Sequence, residues 1–150
     1  MTPAFESTDR QDQLRGVLTS WLGTPYRHRA GVKGMGCDCI HFVARVMEEL
    51  GLLTWRDDIM PDYPRDWHIH NTRELLSESI EKEFTVKQQP PGCFANGDIL
   101  LFHFGKAASH AGIFCDDTIW QAMDRIGVIA MTVQDRIMMR QLRYVYRVMR

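Results

Sequence analysis

Two segments in the first third of the chain repeat their apolar residues at the spacing of a helix with one buried face. In the first segment these residues are Leu14, Val17, Leu18, Trp21 and Leu22. In the second they are Phe42, Val43, Val46, Met47 and Leu50. The sequence therefore predicts one helix over about residues 10–22, ending at Gly23, and a central helix that begins at Cys39 and stops at Gly51.

Two stretches outside these helices lack any periodic pattern. Residues 23–36 contain four glycines and a proline, which favour an irregular loop. Residues 54–71 mix prolines, aromatic residues and charges, and a loop of this length in a small domain is often functional, so we expect it to border the active groove. A shorter helix is predicted over about residues 72–83, with Asn71 as its cap and Glu74 three residues further on.

The second half of the chain has the pattern of short strands separated by turns. The candidate strands are residues 98–104, 110–115, 118–123, 127–133 and 143–149. Their regular spacing predicts an antiparallel meander of about five strands. Helices followed by strands are typical of the α+β class, in which the helices pack on one face of the sheet. A chain of 150 residues is long enough for one real core and too short for two ordinary ones, so we predict a single domain over residues 1–150.

The charge balance and the lengths of the apolar segments limit the kinds of partner that the sequence predicts. The chain has 18 basic and 19 acidic side chains and a formal net charge of -1, which gives no electrostatic reason to expect nucleic acid or an anionic membrane as a partner. No run approaches the roughly 18 apolar residues of a membrane span, and the first residues lack the apolar core of a signal peptide. We therefore expect a protein made in the cytoplasm without a signal peptide and without membrane insertion. Four cysteines are too few for a disulfide-stapled scaffold, so a reactive thiol becomes plausible.

The stretch GMGCDCIHFV, residues 34–43, places Cys37 and Cys39 on either side of Asp38. The two thiols could form a metal clip, contribute to a disulfide, or supply a nucleophile. Asp38 occupies the N-cap position of the central helix, so Cys39 falls in its first turn. There the free amides and the helix dipole favour a thiolate, and we expect them to lower the pKa of the thiol. Cys37 lies in the preceding loop without that help, so Cys39 is the preferred nucleophile.

Zinc binding is the main metal alternative, because several soft ligands occur in the chain. They are Cys37, Cys39, Cys93, Cys115, His68 and His70. A structural zinc site usually combines two close pairs of ligands, and a C-x-C followed by scattered single cysteines lacks the second pair. We therefore expect neither a metal nor another cofactor.

A base for the thiol is predicted on the strands. If Asp116 and Asp117 form a two-residue hairpin turn, then Gly112 faces Gln121 across the ladder. His110 and Gln121 then lie diagonally on one face, about 7 to 8 Å apart, where the Gln121 amide oxygen can hold one imidazole nitrogen while the other faces the thiol. This is the arrangement of nucleophile, base and orienting group. It requires a turn with an even number of residues, because a slip of one residue would send Gln121 to the opposite face.

Longer segments carry a resemblance to a known family. GTPYRHRAGVKGMGCDCIHFVARVMEELG and NGDILLFHFGKAASHAGIF, with PDYPRDW and YVYRVM, are similar to the NlpC-type family of papain-like cysteine peptidases, which cut bacterial cell-wall peptides. The resemblance is closest to the branch found in phage tails and prophages. It implies a papain-like fold with Cys39 as the nucleophile and His110 as the base. It also implies that Gln121 is the third polar residue and that Tyr26 lies beside the nucleophile.

The same resemblance implies a substrate and a mechanism. The substrate is a peptidoglycan stem peptide, cut between D-glutamate and a diamino acid such as diaminopimelate. Cys39 attacks the carbonyl, His110 takes the thiol proton and later protonates the leaving amine, and the Cys39 amide with Tyr26 holds the oxyanion. A wall-cutting enzyme without an export signal needs another route to the wall. A phage tail or a secretion machine would supply one, so phage tail proteins are candidate partners. A cytosolic enzyme of cell-wall recycling would also fit.

Two positions depart from the family pattern. His41 stands where the family often has glycine, and Gln121 stands where it often has histidine. Glutamine can still accept a hydrogen bond from imidazole. The bulky His41 side chain, close to the thiol, either narrows the groove or contacts the substrate, and we count Asp38 and Trp67 with it as substrate-side candidates.

Three other functions fit the same residues. The thiol could serve a different cysteine amidase or acyltransferase. A catalytically dead domain could act as a structural tail component. A zinc-binding module would use the cysteines as ligands.

Overall fold

A six-stranded antiparallel sheet forms the frame of the computed structural model, which describes residues 1–59 and 73–150. Its strands are β3 (Val86–Gln89), β4 (Ile99–His103), β5 (Ala108–Cys115), β6 (Thr118–Met123), β7 (Gly127–Thr132) and β8 (Leu142–Val148). The predicted α+β class is confirmed. The edge strand β3 was missed, because its sequence VKQQ is short and polar and shows no alternation.

The order of the strands in the sheet is β3-β8-β4-β5-β6-β7. Strands β4 to β7 form the predicted meander, since each pairs with the next along the chain. The prediction was wrong for the last strand. Strand β8 returns to the other side of β4 and pairs with both β3 and β4. Its residues Val145 and Tyr146 are buried in this position.

Two long helices precede the sheet. Helix α1 covers Thr8–Trp21 and starts earlier than predicted, because the Ser7 side chain accepts a hydrogen bond from the Arg10 amide at 3.3 Å and caps the first turn. Helix α2 covers Cys39–Glu49, as predicted. In the described ranges, no helix is long and apolar enough to cross a membrane.

Helix α3 covers Leu75–Glu83 and starts later than predicted. Asn71, the expected cap, lies outside the described residues. Glu74 makes no capping hydrogen bond with its side chain. Its carboxylate accepts instead from the amide of Ala108 at 3.0 Å, so this residue ties α3 to the start of β5.

A small hairpin replaces part of the predicted irregular loop before α2. Its strands are β1 (Gly31–Val32) and β2 (Gly36–Cys37), joined by a turn in which Gly34 has a φ of +79°. A glycine adopts this backbone conformation without the strain that a Cβ would cause. The hairpin carries the chain directly into the first turn of α2.

The sheet is buried on both faces. The side facing α1, α2 and α3 holds the main core, which includes Trp21, Phe42, Met47, Ile80 and Leu101. Because side chains alternate along a strand, the neighbours of Leu101 in β4 point the other way into a second apolar cluster. The helix α4 (Arg136–Met139), which was not predicted, contributes Met138 to that second cluster.

Candidate active site

The start of α2 is fixed by the carboxylate of Asp38, which is almost fully buried. Its Oδ1 accepts from the backbone N–H of His41 at 2.8 Å, which is the predicted N-cap contact. Its Oδ2 accepts from the backbone N–H of Arg29 at 2.7 Å. Arg29 has a φ of +64°, a left-handed conformation that is uncommon for a residue other than glycine. One carboxylate therefore joins the loop before β1 to the first turn of the helix.

Cys39 lies at this helix start with 7% of its surface exposed. Its thiol donates towards the backbone carbonyl of Ser109 on β5, with an Sγ to O distance of 3.9 Å. The backbone N–H of Ala111 also bonds to the sulfur. Residues 109 and 111 flank His110 on the same strand, so the structure brings the thiol beside the segment that carries the predicted base.

A β-bulge explains why this part of β5 can approach the thiol. Phe102 pairs with His110 and His103 pairs with Ala108, so Ser109 is an extra residue without a partner on β4. A bulge redirects the chain locally and releases ladder groups for other contacts. Here the released position is the one whose carbonyl faces Cys39.

The prediction that the helix N-terminus lowers the pKa of the Cys39 thiol was wrong. Burial, and to a smaller extent the neighbouring Asp38 carboxylate, raise the pKa of Cys39 to about 12. Hydrogen bonds from the backbone amides of Ala111, Ile40 and Cys39 act in the opposite direction without overcoming burial. The amides that motivated the prediction are thus present, but the buried thiol is neutral because charge is costly away from water.

The hairpin turn between β5 and β6 has the predicted length. Asp116 and Asp117 both have positive φ, 55° and 56°, as a two-residue type I′ turn requires. Cys115 pairs with Thr118, which sets the register of the ladder. The Arg15 guanidinium of α1 holds the Asp116 carboxylate at 2.6 and 2.9 Å, so the turn is attached to the helix layer.

This register brings Gln121 to His110. Their side chains are buried, and His110 Nε2 lies 2.7 Å from Gln121 Oε1. An amide oxygen can only accept, so His110 Nε2 carries the hydrogen and Nδ1 keeps a lone pair in the neutral ring. The predicted contact is present, and it selects the tautomer in which Nδ1 can act as a base.

His110 is also held by aromatic rings. Phe102 and Phe104 lie with their ring centroids 5.9 and 5.7 Å from the imidazole. Burial lowers the pKa of His110, and the hydrogen bond to Gln121 opposes that shift. The imidazole is therefore neutral near pH 7.

The structure also describes two of the other predicted residues, Tyr26 and His41. Tyr26 is half-buried against the main core, and its backbone bridges to Cys37, two residues before the nucleophile candidate. His41 Nδ1 lies 2.7 Å from Asp38 Oδ1. Trp67, predicted as a substrate contact, lies outside the described residues.

The alternatives to a nucleophilic Cys39 also have places in the structure. Cys37 is fully buried in β2, and burial raises the pKa of its thiol to about 12, with Asp38 adding to the effect. All four cysteines are free thiols. Over residues 1–59 and 73–150, no group of three His, Cys, Asp or Glu side chains is arranged to hold a metal ion. His68 and His70 lie outside these ranges.

Three residues of this region were not singled out from the sequence. Trp55 packs on His41 with ring centroids 5.9 Å apart, and its position in the predicted groove loop was the available signal. Phe104 follows a strand and is half-exposed beside His110, which alternation along β4 could have indicated. Ser109 contributes a backbone carbonyl, and side-chain patterns carry no signal for such a contact.

Comparison with known sequences identifies one family. The sequence model of the NlpC/P60 family matches residues 23–147. No curated protein sequence matches the chain.

Solved structures with a similar fold include three proteins of this kind. A Staphylococcus aureus protein described as similar to a lipoprotein of the NLP/P60 family has a TM-score of 0.69 at 15% identity, over 100% of this chain and 45% of that one. An NlpC/P60 family protein from Bacillus cereus has a TM-score of 0.64 at 19% identity, over 100% of this chain and 42% of that one. The NlpC/p60 domain of the peptidoglycan hydrolase SagA has a TM-score of 0.58 at 18% identity, over 93% of this chain and 98% of that domain. The chain thus spans less than half of the first two proteins, and at these identities the likeness is one of fold.

Proposed function

Because the chain belongs to the NlpC/P60 family, a family of cysteine peptidases and peptidoglycan hydrolases, we propose that it is a cysteine peptidase that hydrolyses peptidoglycan stem peptides. One observation carries the proposal. The Cys39 sulfur lies 3.9 Å from the carbonyl of Ser109, and the next residue, His110, is bonded to Gln121 at 2.7 Å in the tautomer that a base needs. Nucleophile, base and orienting group are the parts that acyl transfer from an amide requires.

In the proposed mechanism, the proton moves only when substrate is attacked, because thiol and imidazole are both neutral at rest. His110 Nδ1 takes the proton of Cys39 as the sulfur bonds to the carbonyl carbon. The oxyanion accepts hydrogen bonds from the Cys39 backbone N–H and from Tyr26. His110 then gives the proton to the leaving nitrogen, the C–N bond breaks, and a thioester remains.

Water completes the reaction. His110 removes a proton from the water as its oxygen attacks the thioester carbon, and the thiol leaves with that proton. Gln121 accepts from His110 Nε2 throughout and stabilises the imidazolium that forms at each step. Each proton transfer by a positioned side chain is typically worth about 10² to 10⁴ in rate.

The finer parts of the proposal concern the bond and the route to it. We propose cleavage between D-glutamate and a diamino acid, with Asp38, His41 and Trp67 on the substrate side of the groove. Delivery by a phage tail or a secretion machine would bring the enzyme to the wall. These parts are supported by the resemblance of the sequence motifs, and the solved SagA domain belongs to a protein described as a peptidoglycan hydrolase.

Digestion of purified sacculi tests the function. Wild-type protein should release fragments whose new termini, identified by mass spectrometry, are a free D-glutamyl carboxyl group and a free diamino-acid amine. Cys39→Ala should release none, whereas Cys37→Ala, which removes a buried thiol two residues away, should retain activity if its melting temperature shows that it folds. Equal release by wild type and Cys39→Ala would reject the nucleophile, and products joined to a new amine would indicate an acyltransferase.

A further inference from the structure

His41 makes a contact that is not needed to build α2. Its Nδ1 lies 2.7 Å from Asp38 Oδ1, the oxygen that already accepts from the His41 backbone at 2.8 Å. The two side chains are only 12% and 6% exposed. A carboxylate oxygen can only accept, so His41 Nδ1 carries a hydrogen in this contact. Asp38 therefore receives a side-chain donor in addition to backbone amides.

The Asp38 carboxylate disfavours ionisation of the Cys39 thiol, which follows it in the chain. Its carboxylate is nearly buried and directly precedes Cys39 in the chain. Like charges disfavour each other strongly when both are away from water, so a thiolate at Cys39 is opposed by an ionised Asp38. The carboxylate raises the pKa of the Cys39 thiol, second only to burial. A hydrogen-bond donor that disperses the negative charge of this carboxylate therefore favours the thiolate form of Cys39.

The surroundings hold His41 in this position. A Cβ placed on Gly31 would lie 3.2 Å from the His41 Cβ, so glycine at residue 31 leaves room for the histidine. The Trp55 ring packs on the imidazole at 5.9 Å. The guanidinium of Arg45 lies 3.5 Å over the Trp55 ring and donates to the Gly31 carbonyl at 2.8 Å. Arg45 thus connects the two groups that pack against His41.

The charged and titratable groups around His41 and Asp38 come from four elements. On β2, the Cys37 thiol lies close enough to Asp38 for the carboxylate to add to the rise in its pKa that burial causes. On α2, Arg45 is paired with Glu48 at 3.0 Å. In the loop before β1, Arg29 gives its backbone N–H to Asp38. On β5, His110 lies on the strand segment that contacts the sulfur.

We propose that His41 is a positioning residue for the nucleophile: by donating a hydrogen bond from Nδ1 it disperses the negative charge of the Asp38 carboxylate, so that Cys39 can become a thiolate beside a carboxylate with one more donor than the backbone supplies. The proposal rests on the proposed role of Cys39 as nucleophile. It gives His41 a task other than narrowing the groove or contacting the substrate.

The test measures the pH profile of Cys39 alkylation by iodoacetamide in the free protein, with modification at each cysteine resolved by mass spectrometry. His41→Leu removes the donor and keeps an apolar side chain of moderate size. His41→Asn is the matched control, because its amide nitrogen can take the place of Nδ1. We expect the profile of His41→Leu to move to higher pH and that of His41→Asn to stay with wild type.

The size of the shift sets the expected rate. A rise of one unit in the thiol pKa lowers the thiolate fraction about tenfold at pH 7, and the greater nucleophilicity of the more basic thiolate recovers about threefold of this. Alkylation of His41→Leu should therefore be about threefold slower for each unit. A profile of His41→Leu identical to wild type would overturn the proposal, as would an equal shift in a folded His41→Asn.

A second substitution tests whether the effect passes through Asp38. Asp38→Asn keeps a good N-cap and removes the charge, so alkylation should move to lower pH. In that background, adding His41→Leu should leave the profile unchanged, and a full shift there would overturn the proposal. Because alkylation needs no substrate, a shifted profile in a protein that never cuts sacculi would reject the peptidase function and leave this inference standing.

Discussion

The two halves of the candidate site are both buried, yet burial moves their proton affinities in opposite directions. At the N-terminus of α2, burial raises the pKa of the Cys39 thiol to about 12. On β5, burial lowers the pKa of His110. The thiol becomes charged by losing a proton and the imidazole by gaining one, so the same low-dielectric surroundings keep both neutral. The comparison indicates that the thiol and the imidazole are both uncharged at rest, so the proposed reaction would have to generate the charge during attack.

The halves also differ in what holds them. The thiol half depends on a local contact, because Asp38 caps the amide of His41 three residues further on. The base half depends on the register of a ladder, because the contact between His110 and Gln121 is made across two strands. A change of one residue in the turn would turn every following side chain of β6 to the other face. Substitutions in the base half should therefore separate chemistry from folding most clearly.

Removing the imidazole of His110 should cause the largest loss of activity. We expect His110→Ala to lower the rate of stem-peptide hydrolysis about 10² to 10⁴-fold, because no group remains to take the thiol proton or protonate the leaving amine. Initial rates on a purified stem peptide measure the loss, and the exposed His28→Ala serves as the control for a general loss of histidine. Retention of more than a tenth of the wild-type rate would show that another group is the base.

Removing the acceptor of Gln121 should have a smaller effect. Gln121→Leu leaves the buried Nε2–H of His110 without a partner, a cost of about 1 to 3 kcal/mol, and a loss of this size in the transition state lowers kcat about fivefold to 150-fold. Gln121→Glu keeps an acceptor at the same length, and its charge should raise the pKa of His110 and move the acid limb of the pH-rate profile to higher pH. If both variants matched wild type in kcat and profile, Gln121 would not be the orienting residue.

The neutral state of His110 should also appear in stability. Its pKa in the folded protein is lower than the unfolded value near 6.5, so above that pH both states are unprotonated and stability is fully retained. As the pH falls below about 6.5, His110 becomes protonated in the unfolded chain but stays neutral in the folded protein. The free energy of unfolding therefore decreases by up to about 1.4 kcal/mol for each pH unit until the folded pKa is reached.

Urea unfolding of wild type and His110→Gln at pH 7.5, 6.0 and 5.0 measures this loss. The variant cannot protonate at residue 110, so it should lose less stability on acidification, while all other groups are shared. Parallel curves for the two proteins would mean that His110 is not held neutral by the fold.

Local features of the fold were predictable from the sequence. The apolar stripe after Asp38 and the cap it provides located α2, because cap and stripe act within a few residues. The two aspartates at residues 116 and 117 indicated a two-residue turn, and the turn then determined which residues of β6 face β5. The proximity of His110 and Gln121 followed from this local chemistry.

Features set by distant parts of the chain were less accessible. The position of β8 between β3 and β4 depends on pairing between strands far apart in sequence, which no alternation pattern specifies. The start of α3 was misplaced because Glu74 bonds to Ala108 on β5 rather than to its own helix. The bulge at Ser109 arises from a mismatch between two strands and leaves no mark in either alone.

The sequence by itself determined the kinds of groups in the site and the local elements that carry them: a cysteine in a capped first turn, and a histidine and a glutamine on one hairpin. Only the tertiary structure decided their protonation, because the energy of a charge depends on how much water and which neighbours surround it after all elements have packed. The same amides that suggested an acidic thiol are present around Cys39, yet packing against β5 removes the water that a thiolate would need.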